Sequence, residues 1–322
     1  MLGMNELKES IEITEKTVEC PVKSCNEKVK RQRKSFQKKD KFKCQKHNIY
    51  ISPSTFEYQC ELNNLLWKDE ADLELLGRIK KVKRESRITR DNSEDALTWN
   101  VFRFMENNNL LNIILGPVID VDLKLSEIIY WSYSQKENNV WSKLNFARKE
   151  FGESINNSSE PDIIIKNNKA LIFIEAKLSS GNNTSPSNKN NSKNYETGGN
   201  NWFLKVFKSD YKSVAIDNKK YELMRFWLLG TWLAESLGLE FYLVNLVLSE
   251  REKNIGSVFN NFIAGNEKRK FIRITWENIY NKIRDMDIIN LSGVEKDIII
   301  NYFDNKSIGY NKVGKLQKAF SV

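Results

Sequence analysis

A single histidine, His47, occurs in the 322 residues of this chain. Serine and cysteine nucleophiles rely on an imidazole base, so Ser–His and Cys–His mechanisms are excluded once that ring is committed elsewhere. No GxxxxGK phosphate loop occurs, which argues against nucleotide hydrolysis that drives motion. Long hydrophobic runs are also missing. The most apolar stretch, FWLLGTWLAESLGLEFYLVNLVL, is broken by Glu235 and Glu240 before it supplies the ~18 clean residues of a membrane span. The N-terminal MLGMNELKESIEI turns polar at once, without the apolar core of a signal peptide. A cytoplasmic protein without a membrane partner is expected.

Cysteine is scarce as well: all four lie between positions 20 and 60, in the same segment as His47. The order is CPVKSC, then eighteen residues, then CQKH. Two close ligand pairs joined by a loop are what a tetrahedral Zn²⁺ site requires, and a cytoplasmic chain does not ordinarily form disulfides there. Cys20, Cys25, Cys44 and His47 are the expected ligands. An all-cysteine set with Cys60 in place of His47 is the alternative. The intervening NEKVKRQRKSFQKKDKFK is densely basic and suits phosphate contact, although a charge run can also be a solvated loop.

What is present in quantity is positive charge, a formal +9, which favours a polyanionic partner, nucleic acid first. Hydrophobic content of 40% is enough for a real core. We read residues 1–65 as a zinc-binding, nucleic-acid-contacting module and 66–322 as the main domain. Along the chain, 61–150 reads as mainly helical, 160–178 as a strand hairpin, and 221–237 as an apolar helix. Strands follow at FYLVNLVL and KFIRIT, then a helical tail. FYLVNLVL lacks alternation, as in a strand covered on both faces. Helices before and after a mixed sheet give an α/β fold. Residues 179–201, rich in Gly, Ser and Asn, are expected to be a mobile surface loop. Phe226, Trp227, Gly230 and Trp232 are core residues or a homodimer face, and Arg225 is a candidate for phosphate contact.

The stretch EPDIIIKNNKALIFIEAK places charges in the most apolar part of the chain. With Asn167-Asn168 as a two-residue turn, Lys166 faces Lys169 and Asp162 faces Phe173. Asp162, Glu175 and Lys177 then share one face, and Ile163, Ile165, Ile172 and Ile174 the other. Two neighbouring carboxylates repel unless a cation sits between them, and oxygen ligands suit Mg²⁺ or Mn²⁺. The backbone carbonyl of Ala176 is a natural further ligand. Lys177 would orient or deprotonate a water, or steady charge on a phosphoryl oxygen. The alternative is an exposed edge hairpin carrying a surface Glu175–Lys177 salt bridge.

EPD at 160–162 with EAK at 175–177 resembles the PD-(D/E)xK nuclease superfamily, over roughly residues 85–280. The resemblance implies a restriction-endonuclease-like mixed sheet, Asp162 and Glu175 as metal ligands, and Lys177 as catalytic lysine. It further implies a Mg²⁺-dependent endonuclease acting on DNA, double-stranded by preference, with a type II restriction or related defence role. Members often carry another acid on the helix before the core strands. Here that is Glu94, which continues the Leu97, Val101, Phe104 stripe behind a Ser93 cap. Glu160 is the weaker alternative. A non-cleaving zinc-containing nucleic-acid-binding protein on the same scaffold, and an RNA-directed nuclease, are the competing functions.

Overall fold

The computed structural model describes residues 6–33, 36–83, 85–154, 158–187, 192–286 and 293–320. In chain order, short strands β1 (Thr17–Glu19), β2 (Lys28–Lys30), β3 (Lys43–Cys44), β4 (Ile49–Ile51) and β5 (Phe56–Tyr58) come first. Helices α1 (Glu70–Val82), α2 (Glu94–Asn107), α3 (Leu111–Ile114) and α4 (Gly116–Ile119) follow. Next are β6 (Glu127–Tyr130), β7 (Tyr133–Ser134), β8 (Asn139–Val140), α5 (Ser142–Glu150), β9 (Ile163–Lys166) and β10 (Ala170–Ala176). Then α6 (Ser192–Asn201), α7 (Phe203–Val206), α8 (Tyr221–Leu237), β11 (Glu240–Val247), α9 (Ile255–Asn260) and β12 (Arg269–Thr275). Last are α10 (Trp276–Asp285), α11 (Gly293–Asn305), β13 (Ser307–Tyr310) and β14 (Leu316–Lys318). The chain forms two compact units: Met1–Glu70, Ser86–Asn108 and Ile279–Val322 make one, Ala71–Glu85 and Asn109–Asn278 the other.

The first unit is larger than the 1–65 module read from sequence, and buried polar bonds show why. Asp91 is buried, with its carboxylate accepting from Tyr58 and from Ser307, while Lys306 donates to its carbonyl. The amide of Tyr310 donates to Ser54 O, and Gly309 (φ +110) approaches that carbonyl where a Cβ would fall 1.8 Å away. These bonds tie the C-terminal strands to the N-terminal segment. Its apolar cluster combines Val18, Ile49, Ile51, Phe56 and Tyr58 with three of the cysteines. Helix α2 begins as read, with Ser93 Oγ accepting from the Ala96 amide.

The second unit is built on a seven-stranded mixed sheet in the order β12-β11-β10-β9-β6-β7-β8. β10, β11 and β12 run parallel, whereas β9 pairs antiparallel with both β10 and β6. Strands β6–β8 lie inside the stretch read as helical. The β6–β7 turn uses Trp131 and Ser132 at φ 45 and 74, so no Gly or Asn marks it in the sequence. Helix α8 packs on the sheet through Phe226, Trp227 and Gly230. A Cβ on Gly230 would lie 2.1 Å from the Phe241 ring, which explains a glycine inside so apolar a helix. Trp227 and Phe173 meet the same ring edge-on. Trp232 is only half-buried, against Phe146 and Phe151. Among the described residues, no helix is long and apolar enough to cross a membrane.

Candidate functional site

The β9–β10 register is Ile163↔Ile174 through Lys166↔Leu171, two residues displaced from the sequence reading. The turn is wider than two residues: the Asn167 amide donates to Ala170 O, and Asn167 Oδ1 caps the amides of Lys169 and Ala170. An even displacement preserves faces. Asp162 therefore shares its side of the sheet with Glu175 and Lys177, and continuing the register sets it opposite Glu175 instead of Phe173. The face they share is the one on which Leu171, Phe173, Phe241 and Leu243 join the core beneath α8. Polar chemistry begins where that apolar surface ends, at the carboxyl ends of parallel strands, a usual place for ligand sites in α/β sheets.

The lysine does not make a surface salt bridge. β9 and β10 are interior strands, Glu175 is 3% exposed, and the Lys177 ammonium contacts both Glu175 and, at 3.1 Å, Glu222 Oε2. Glu222, in the first turn of α8, was missed by sequence reasoning. Its amide is capped by Thr184 Oγ1, and a first-turn acid is favoured there by the helix dipole, so its local signal resembles that of any other N-terminal acid. Burial, Glu222 and Asp162 push the Glu175 pKa well above the ordinary carboxylate range, against the pull of Lys177. Burial works against the Lys177 charge, but Glu175, Glu222 and Asp162 outweigh it and hold the lysine protonated. Three carboxylates around one ammonium carry a formal excess of two negative charges, which a divalent cation would neutralise. The donor set suits Mg²⁺ or Mn²⁺ in hardness and charge.

The raised Glu175 pKa has a thermodynamic sign. Unfolded, the carboxyl loses its proton near its ordinary 4.5; folded, it holds that proton to higher pH, so stability falls as pH rises through this interval. Glu175→Gln is expected to raise Tm at neutral pH in buffer without added divalent cations, by about 2–4 °C per kcal/mol relieved. The difference should shrink toward pH 4.5. Thermal scans at both pH values check this; a lower Tm for the variant at neutral pH contradicts it.

Two indoles fix the ends of this arrangement. Trp131 Nε1 donates to Asp162 Oδ1 at 3.0 Å, and the Ala176 amide donates to Oδ2 at 2.9 Å. Trp276 Nε1 donates to Lys177 O at 3.1 Å. Beside Glu175 in the register stands Asn245, fully buried, which accepts from Asn182 Nδ2 and donates to Glu252. Asn182 belongs to the 179–201 stretch expected to be a mobile loop. In the described part Asn182 and Tyr195 are nonetheless buried, and α6 begins at Ser192. Asn182 Nδ2 donates to Asn245 and Glu252, which lets this asparagine be buried despite low hydrophobicity, and Gly198 and Gly199 allow close packing on Phe151 and Trp232. Residues 188–191 lie outside the described residues.

Arg225 pairs with the buried Glu153 at 2.9 Å and stacks on Tyr221, so it is already committed to structure. Glu160 lies 3.8 Å from Lys83. Glu94 stands in the first turn of α2, in the first unit.

In the first unit, Cys20, Cys25, Cys44 and His47 converge, with their ligand atoms all within 4.8 Å of one another. Cys25 Sγ and Cys44 Sγ are 3.8 Å apart, and His47 Nδ1 lies 3.6 Å from Cys20 Sγ and 3.5 Å from Cys44 Sγ. Bond lengths of about 2.3 Å to sulfur and 2.0 Å to nitrogen give tetrahedral edges of about 3.8 and 3.5 Å, so the quartet fits Zn²⁺. Burial pushes the Cys20 thiol up to about 11, so a thiolate there needs a cation. Cys60 is exposed and outside the quartet, which decides against the all-cysteine alternative.

The chain is thus an α/β protein with a large mixed sheet packed against helices and a Cys₃His cluster able to hold a metal. No family model, curated protein or solved structure matches it.

Proposed function

We propose that the second unit is a metal-dependent endonuclease domain of the PD-(D/E)xK, restriction-endonuclease-like kind, hydrolysing DNA phosphodiester bonds. The observation that carries this reading is Asp162 facing Glu175 on adjacent strands, with Lys177 two positions on and Glu222 beyond it. Asp162 and Glu175, with the Ala176 carbonyl, would hold Mg²⁺ or Mn²⁺, and Glu222 supplies a further acid beside Lys177. Such an ion, when bound, polarises a phosphoryl oxygen and lowers the pKa of a water.

The side chains have separable tasks. Asp162 is held by Trp131 and Ala176, so its orientation is set before substrate arrives. Lys177, kept cationic by its acidic neighbours, steadies negative charge developing on the phosphoryl oxygen and orients the attacking water. Proton abstraction by Lys177 is disfavoured, because a lysine base needs a lowered pKa. Net positive charge and the basic N-terminal segment support a nucleic-acid partner, double-stranded DNA first. A restriction or related defence role rests on the superfamily resemblance.

Asp162→Ala and Glu175→Ala are expected to reduce Mg²⁺-dependent cleavage by about 10²–10³-fold or more and to weaken Mn²⁺ binding measured by electron paramagnetic resonance. Retained Mn²⁺ affinity in both variants would overturn the assignment of the metal to these acids.

A further inference from the structure

The first unit contains an open cleft of about 800 Å³ that plays no part in the chemistry above. Pockets of about 300–1,000 Å³ take ligands of nucleotide size. Arg31, Arg33 and Arg90 line it against one carboxylate, Glu15, and Phe36 and the Ser52–Thr55 turn complete the wall. Arg90 is paired with Glu57 at 3.0 Å, so Arg31 and Arg33 against Glu15 leave one positive charge in excess, which favours an anion.

The wall is held in place from behind. Arg31 donates to Thr14 O at 2.9 Å and Arg33 to Glu15 O at 2.7 Å, so both side chains are pinned by main-chain carbonyls that carry no full charge. Among the described residues each spends one N–H there, leaving other donors of its planar fork for a phosphate. Between them Gln32 is buried and bonded to Ile51 O and the Gln37 amide, which fixes the backbone carrying both arginines. Opposing this segment in the lining, Ser52 Oγ accepts from the amides of Ser54 and Thr55. Arg31 Nε and Thr55 Oγ1 are buried and have no hydrogen-bond partner among the described residues. Phe36, half-buried, offers a ring face of the kind on which any base can stack.

We propose that this cleft binds one unstacked nucleotide of a DNA strand, with phosphate on Arg31 and Arg33 and the base against Phe36. The same chemistry would accept a free nucleotide, so the test separates the two sources. It does not rest on the nuclease reading, because binding is measured with Ca²⁺ in place of Mg²⁺ and without any cleavage readout.

Fluorescence anisotropy of the full chain with a labelled mixed-sequence single strand and its duplex, at about 150 mM salt, is the measurement. Arg33→Gln, at an exposed position, is expected to weaken binding about 5–10-fold and to flatten the log–log salt dependence by about 0.7–0.9 for each phosphate that the arginine neutralises. Phe36→Ala should weaken binding to the single strand by about 5–100-fold and leave the salt slope unchanged. Zinc content and Tm, equal to wild type in both variants, establish that the unit still folds. Unchanged affinity in both variants overturns the proposal. Competition by mixed mononucleotides or inorganic phosphate at the same concentration as the oligonucleotide overturns the strand assignment; competition only at far higher concentration supports it.

Discussion

Lys177→Ala is expected to lower Mg²⁺-dependent cleavage by about 10²–10³-fold, the loss typical when one charge-stabilising donor is removed from a reacting centre. DNA binding in Ca²⁺ should largely survive, because an interaction made with charge that develops in the transition state contributes little to docking. The variant carries a second signature. Lys177 offsets Glu175 and Glu222, so its removal leaves two acids without their counter-charge. Tm in buffer lacking divalent cations should therefore fall, and Mg²⁺ should restore more of it than in wild type. Parallel loss of cleavage and of Ca²⁺-supported binding would instead assign Lys177 to docking. Thermal scans with and without Mg²⁺, together with single-turnover cleavage, make the comparison.

The other large effect concerns the N-terminal quartet. Cys44→Ser is expected to lose the bound Zn²⁺ and unfold the first unit, since zinc-dependent segments draw about 10–16 kcal/mol of apparent binding free energy from the ion. Three of the four ligands sit within the apolar cluster of that unit, so loss of the ion also leaves buried thiols without partners. Cys60→Ser, at an exposed position, should keep one zinc per chain and the wild-type Tm. Elemental analysis of protein purified without added metal, with limited proteolysis of the N-terminal segment, reads both. Wild-type protein without zinc yet resistant to proteolysis contradicts the assignment.

Local patterns were legible where one physical cause dominates. Ser93 announced the start of α2, because a side-chain acceptor before an apolar stripe satisfies an amide the helix leaves free. The face shared by Asp162, Glu175 and Lys177 was legible from alternation alone, and it survived a wrong turn because the displacement was even. The quartet was legible from ligand spacing. Glu222 was not, since forty-six residues separate it from Glu175 and only the packing of α8 on the sheet brings it to Lys177. The burial of Asn182 was hidden for a related reason. Its partners Asn245 and Glu252 are distant in sequence, and a polar stretch looks alike whether its groups bond to water or to one another. The β6–β7 hairpin escaped because its turn at Trp131 and Ser132 uses residues that seldom adopt positive φ.

Phosphodiester hydrolysis with a divalent ion held by Asp162 and Glu175 is the activity proposed for this chain. Its most direct measurement is incubation of wild-type protein with mixed-sequence plasmid, and separately with RNA, in Mg²⁺, in Mn²⁺ and with neither. Metal-dependent cleavage of the plasmid is expected, as discrete fragments for a sequence-specific enzyme or a smear for a nonspecific one, and none from the Asp162→Ala protein. Binding of DNA and RNA without cleavage of either in both metals would contradict it and leave a zinc-containing nucleic-acid-binding protein.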